Sequence, residues 1–311
     1  MKPEKPAIVA LLLVCFFWGT TYLAMRVGVQ TCPPFLFSAL RMLCASAILG
    51  TYLMFNWPKA KITGRMIWLN ALAGVLFFCF GVGMVGWAEK QIPSGLAALI
   101  CSLPPVWIVL INVFFYRIEK FNALIILGIL FGLGGMVLVF HEHLGDLVRP
   151  EYRLAVLVCV MGNFSWVLAT LLMKKGRPSE FPIFNAGSQM LAGGLALMFL
   201  HWGFEGGQPV IWATNTVLSL VYLVIFGSVI AFAAYLYALA KLPVTLVSLH
   251  TYANVFVAIA FGAILLHEQL NTTIIIAVGV TMGGIYLVNK GLKNNRKKEE
   301  ITELAPANVL D

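Results

Sequence analysis

Trp18, Trp107 and Trp166 lie inside long uncharged runs of the chain, away from the run ends. At about 1.5 Å per helical residue each indole falls roughly 16–21 Å along its run. An indole N–H at that depth needs a partner other than water, and its ring face can stack on an organic group. Tyr22 follows Trp18 by four residues and shares its helical face, so the two could form one aromatic wall. Arg41 is the one strongly basic residue well inside a run, roughly 10 Å from its start. A guanidinium there is costly and should face a bundle interior, either binding an anionic group or donating to helix carbonyls. Asn163, Asn185, Gln189 and Asn254 could add neutral hydrogen bonds. Glu89 and His250 are the candidate proton-coupling groups. For Glu89 a surface pair with Lys90 is the alternative, and for His250 a satisfied core histidine. Pro104 and Pro105, in SLPPVW, deprive the carbonyls of Ile100 and Cys101 of their usual donors and predict a helix break. At membrane depth such a break is tolerated where protein or a water-filled cavity satisfies the backbone.

Other chemistry is missing. Aspartate occurs only at Asp146 and Asp311, so neither an intramembrane Asp pair nor a serine-type triad can be assembled. No GxxxxGK[ST] loop is present to use ATP. The six cysteines show no CxxC and no metal-ligand spacing, which predicts free thiols, no metal and no cofactor. The chain does not read as an enzyme.

The elements that position these residues follow from composition. Sixty per cent of the 311 residues are hydrophobic and 11% are charged, against roughly 25% charged in a soluble domain. Crossing about 30 Å of hydrocarbon takes roughly 20 apolar residues. Ten runs qualify, near 7–28, 34–55, 66–88, 93–116, 122–140, 153–173, 181–202, 213–238, 243–266 and 271–290. The first is too long for the apolar core of a signal peptide and lacks a cleavage pattern, so it reads as a span. With the N-terminus placed inside, sixteen of the 21 Lys and Arg fall on that side. This asymmetry predicts cytoplasmic termini. The net charge of +8 is thereby a matter of topology, with membrane lipid and not nucleic acid as the partner.

The runs repeat. FFWGTTYLAMRVG at 16–28 and FSWVLATLLMKKG at 164–176 align Phe16/Phe164, Trp18/Trp166, Met25/Met173, Arg26/Lys174 and Gly28/Gly176. Pro34/Pro182, Met42/Met190, Pro93/Pro243, Glu119/Glu268 and Asn122/Asn271 continue the match. Asn122 and Asn271 read as helix caps, with Glu119 and Glu268 as capping or interface residues. Five spans per half is an odd number, so the halves enter the membrane from opposite sides. The predicted fold is an all-α integral membrane protein of ten transmembrane helices in two inverted repeats of five. Residues 1–140 and 153–291 form the repeats, and 292–311 a disordered cytoplasmic tail.

WGTTYLAMRVG followed by PPFLFSALRML, then GWAEKQIPSGLAALICSLPP, the second-half SW and HEQLNTTIIIAVGVTMGGIYLV resemble EamA-type permeases of the drug/metabolite transporter superfamily. The resemblance covers residues 7–290. It implies a secondary carrier, typically an exporter, for amino acids, metabolites or drugs in the bacterial inner membrane. It also implies that spans one to four and six to nine surround a central cavity, with five and ten peripheral. On that reading Trp18, Tyr22, Trp107 and Trp166 enclose a small-molecule solute, Arg41 attracts an anionic end, and the chain works as a monomer or homodimer. The competing classes are an intramembrane enzyme on lipid-linked substrates and a passive channel.

Overall fold

A computed structural model describes residues 5–57, 62–92, 94–116, 119–176, 181–266 and 272–304. Every regular element among them is helical. In chain order the principal helices are α1 (Lys5–Val29), α2 (Pro34–Phe55), α3 (Gly64–Ala88), α4 (Ser94–Cys101), α5 (Pro104–Ile111) and α6 (Ala123–Val139). There follow α7 (Arg153–Lys175), α8 (Pro182–Glu205), α9 (Thr214–Lys241), α10 (Val244–Ser248), α11 (His250–Leu266) and α12 (Thr272–Leu304). Among the described residues seven helices are long and apolar enough to cross a membrane. The count becomes eight if Ala123–Val139 and His141–Val148, bent by 79° at their junction, form one span. Lys5–Thr21 and Leu96–Ile111 are apolar but shorter.

Local chemistry sets the helix limits. Prolines open α2, α5 and α8, where the missing N–H costs nothing. Asn122 caps α6, its Oδ1 accepting from the Ile125 N–H at 3.1 Å. The SLPP stretch ends α4 at Cys101, and α5 begins at Pro104. The Leu103 N–H, at 3.1 Å, serves the Ile100 carbonyl that proline leaves without its usual donor. A second interruption falls at Leu249, between α10 and α11, five residues before Asn254.

Among the described residues four stretches are wound as π-helix: Asn112–Tyr116 after α5, His201–Glu205 at the end of α8, and, in helix interiors, Val75–Gly83 in α3 and Leu223–Ile230 in α9. The starts of the two interior stretches are separated by the same 148 residues that relate Trp18 to Trp166. A π turn loosens the backbone ladder and frequently marks a functional site. Both stretches face the cavity described below.

The main buried core joins α1, α2, α3, α5, α7, α8, α9 and α10. Three contacts along their length make α3 and α7 antiparallel. Ala88 packs with Ala155 at one end, Ser165 donates to the Leu76 carbonyl at 2.9 Å midway, and Gly176 lies beside Leu69 at the other. Glu89 and Lys174 therefore stand at opposite ends of the bundle. Helices α6 and α12 form the most extensively packed pair. A Cβ at Gly284 would lie 2.5 Å from the Gly128 carbonyl, so this backbone contact requires glycine.

Candidate functional site

A cavity of about 200 Å³ opens within the bundle. Its wall draws on the first half of the chain through Trp18, Arg41, Phe78, Glu89 and Pro104, and on the second through Asn163, Trp166, Met190, Phe232, His250 and Asn254. Glu89 is exposed at one end, whereas Met42, Met190 and Phe232 are at most 1% exposed. The cavity is thus open on the Glu89 side and closed beneath its rings.

Those rings form one cluster. Trp18 meets Trp166 edge-on at 5.5 Å, Tyr235 at 5.2 Å and His250 at 4.9 Å. Phe77, fully buried, packs on Trp166 at 4.7 Å and on Phe232 at 5.4 Å. The Trp18 indole donates to the Gly227 carbonyl at 2.9 Å, within the π stretch of α9. Tyr235 closes the cluster below, its hydroxyl 2.6 Å from that of Thr170.

Arg41 reaches the cavity from α2. Its Nε donates to the Ser228 Oγ at 2.8 Å, and neither terminal nitrogen has a protein acceptor among the described residues. Gly227 makes room for it, since a Cβ there would lie 2.9 Å from Nη2. The Asn163 Oδ1 is buried with no donor among the described residues. An apolar wall with a free guanidinium and an unsatisfied amide oxygen can hold a small solute that has both polar and apolar parts.

Other sequence candidates lie elsewhere. Asn185 and Gln189 belong to a buried amide cluster: the Asn70 Nδ2 donates to the Asn185 Oδ1 at 3.0 Å, and the Gln189 Nε2 donates to the Asn70 Oδ1 at 2.7 Å. This ties α3 to α8, and neither residue lines the cavity. Trp107 also stays outside the lining, stacked edge-on against Phe164 at 5.5 Å. Pro105 is buried behind Pro104 in the break. Asn254 lines the cavity but turns its amide to protein: it sits 3.3 Å from the His250 Nδ1, and its nitrogen reaches the carbonyls of His250 (2.8 Å) and Cys15 (3.1 Å). His250 is 5% exposed between these groups and the Trp18 ring. The Tyr22 side chain lies outside the described residues.

Sequence reasoning missed Phe78, Gly81, Phe232 and Ser228 in the wall, although the pairing of Met42 with Met190 marked two lining residues. It also missed Glu205, buried at the start of α2, where its carboxylate accepts the N–H of Phe35 (3.1 Å) and of Leu36 (3.2 Å).

The EamA-like transporter family matches the chain twice, over residues 5–141 and 153–290. The chain belongs to that family. Among relatives of this EamA-like protein, the uncharacterized inner membrane transporter YedA of Escherichia coli (strain K12) is 30% identical over 289 residues, 92% of this chain and 91% of YedA. The uncharacterized transporter YoaV of Bacillus subtilis (strain 168) is 23% identical over 282 residues, 90% of this chain and 95% of YoaV. A solved crystal structure shares the fold with a TM-score of 0.79 at 20% identity, covering 94% of this chain and 99% of its own. The EamA-like protein is a multi-pass inner-membrane protein of a transporter family.

Proposed function

We propose that the protein is a secondary carrier that exports a small organic solute across the bacterial inner membrane by alternating access. The observation that carries this reading is one cavity built from both family-matched halves, with Trp18 and Trp166 in contact at its floor. On this reading ten spans form two inverted repeats of five, residues 1–140 and 153–291, with both termini and the 292–311 tail in the cytoplasm. The two cavity-facing π stretches, whose starts lie 148 residues apart, support it, as does the charge asymmetry.

The cavity's size and chemistry narrow the solute. About 200 Å³ is smaller than the roughly 300–1,000 Å³ of sites for drug-sized ligands, which favours an amino-acid-sized compound. Arg41 would take an anionic end, Asn163 a donor, and the aromatic floor an apolar part. Candidate solutes come from a screen of metabolites released by cells overproducing the protein. Reconstituted vesicles should then take up the solute saturably, and Trp18→Ala and Trp166→Ala should each slow uptake. Unchanged uptake in both variants would remove the proposed site, and flux indifferent to a pH gradient would mark a facilitative carrier.

A further inference from the structure

At the end of the bundle opposite Glu89, the backbone joining α9 to α10 is gripped from two directions. Lys174, in the last turn of α7, donates its Nζ to the carbonyls of Leu239 (2.7 Å) and Leu242 (2.6 Å). These carbonyls belong to the C-terminal end of α9, where a helix lacks internal donors and carries partial negative charge. Glu119 takes the other side of the turn. Its carboxylate accepts the backbone N–H of Val244 and of Thr245 (3.3 Å) and the Thr245 hydroxyl (2.6 Å). Each charge thus meets backbone of the opposite polarity, and the two charges come from different family-matched halves.

Glu119 is itself anchored. Its N–H donates to the Asn112 Oδ1 at 3.0 Å, and its carbonyl accepts from the Asn112 Nδ2 at 2.6 Å. The neighbouring Lys120 carbonyl accepts from Asn295 at 2.6 Å, and Asn122 donates to both Asn295 and the Gly291 carbonyl at 2.8 Å. These bonds fasten the Glu119 segment to the α6–α12 pair. The turn it holds lies in sequence between Tyr235 and His250, two of the rings in contact with Trp18. Movement of the turn would carry one or both rings with it.

We infer that Lys174 and Glu119 form a two-point latch that keeps the cavity closed at this end, and that both grips must release for it to open there. The latch rests on the carrier reading for its purpose, but its test needs no solute. In a variant with the six native cysteines replaced, Thr251→Cys places a thiol in the cavity wall. A membrane-impermeant maleimide is applied to intact cells and to inside-out vesicles. With the latch intact, labelling should come from the Glu89 side. Adding Glu119→Gln and Lys174→Met should raise labelling from the Lys174 side about tenfold or more, the scale set by losing hydrogen bonds to charged groups. An unchanged labelling ratio in a monodisperse double variant would overturn the latch.

A second measurement covers the case in which that variant fails to fold. Glu119→Cys with Thr245→Cys replaces side chains that touch. Oxidative crosslinking of this pair should abolish transport reversibly, and full transport by the crosslinked protein would overturn the proposal. A wild type with no flux but with the predicted labelling shift would sink the carrier reading and leave the latch standing.

Discussion

Replacing Arg41 with Met separates a solute-binding role from a structural one, because the two predict opposite outcomes. Among the described residues Arg41 makes one hydrogen bond to protein, from Nε to Ser228, and its terminal nitrogens face the cavity. Methionine keeps the apolar stem and removes the charge. The folded state then loses one hydrogen bond from a charged donor, about 1.5–3 kcal/mol, but this is offset because it no longer holds a desolvated cation, and such a replacement is often neutral or stabilising. Stability should stay within about 1 kcal/mol of wild type. The solute would lose at least one charge-assisted hydrogen bond, about 1.5–3 kcal/mol, which corresponds to roughly 10–150-fold in affinity. The assay pairs a thermal-shift measurement in detergent with the concentration dependence of uptake into vesicles. Arg41→Lys should restore part of the affinity, since an ammonium keeps the charge but not the planar fork. Unaltered uptake in Arg41→Met, or a loss of several kcal/mol in stability, would refute the reasoning and make Arg41 a structural anchor.

Gly227→Ala should weaken solute uptake as well. Its Cβ would lie 2.8 Å from the Thr21 Cγ2 and 2.9 Å from the Arg41 Nη2, and such overpacking costs about 1–3 kcal/mol; a vesicle uptake curve beside a thermal-shift trace checks both effects. Glu205→Ala should destabilise the fold by about 1–3 kcal/mol for each backbone amide left without an acceptor, read as a lowered melting temperature. Gly284→Val should separate α6 from α12, where backbone meets backbone, and cut the yield of monodisperse protein. Asn70→Leu should destabilise without changing solute affinity, because Asn70 binds Asn185 and Gln189 outside the cavity; an altered affinity with intact stability would contradict that placement.

Helix limits inside the membrane were largely legible in the sequence because the lipid-length rule acts on each run separately, but α12 continues to Leu304, past the expected limit near 290 and into the stretch expected as a disordered tail. Residues 34–55 form α2 as expected, and proline chemistry alone located the break between Cys101 and Pro104. The inward set of Trp18 and Trp166 could be read from depth and repetition, and both line the cavity. What could not be read depends on partners distant in sequence. Asn185 and Gln189 have the same residue types as a solute site, but Asn70, on another helix, meets their hydrogen-bonding needs. Trp107 lies at a similar depth on a helix face that turns to Phe164. Helical periodicity cannot choose between these faces when every face is apolar. Glu119 read as a capping or interface residue, and its carboxylate does cap a helix start, one 125 positions away that the sequence could not name. Its repeat mate Glu268 lies outside the described residues. The π stretches were hidden for a related reason, since Val75–Gly83 and Leu223–Ile230 contain nothing in composition that distinguishes them from ordinary α-helix.

The central claim is that one cavity serves both faces of the membrane in turn, and counterflow tests it most directly. Vesicles preloaded with unlabelled solute should take up labelled solute faster than empty vesicles, with saturation, and Trp18→Ala should abolish the acceleration. Labelled flux that rises linearly with concentration and ignores preloading would contradict the account.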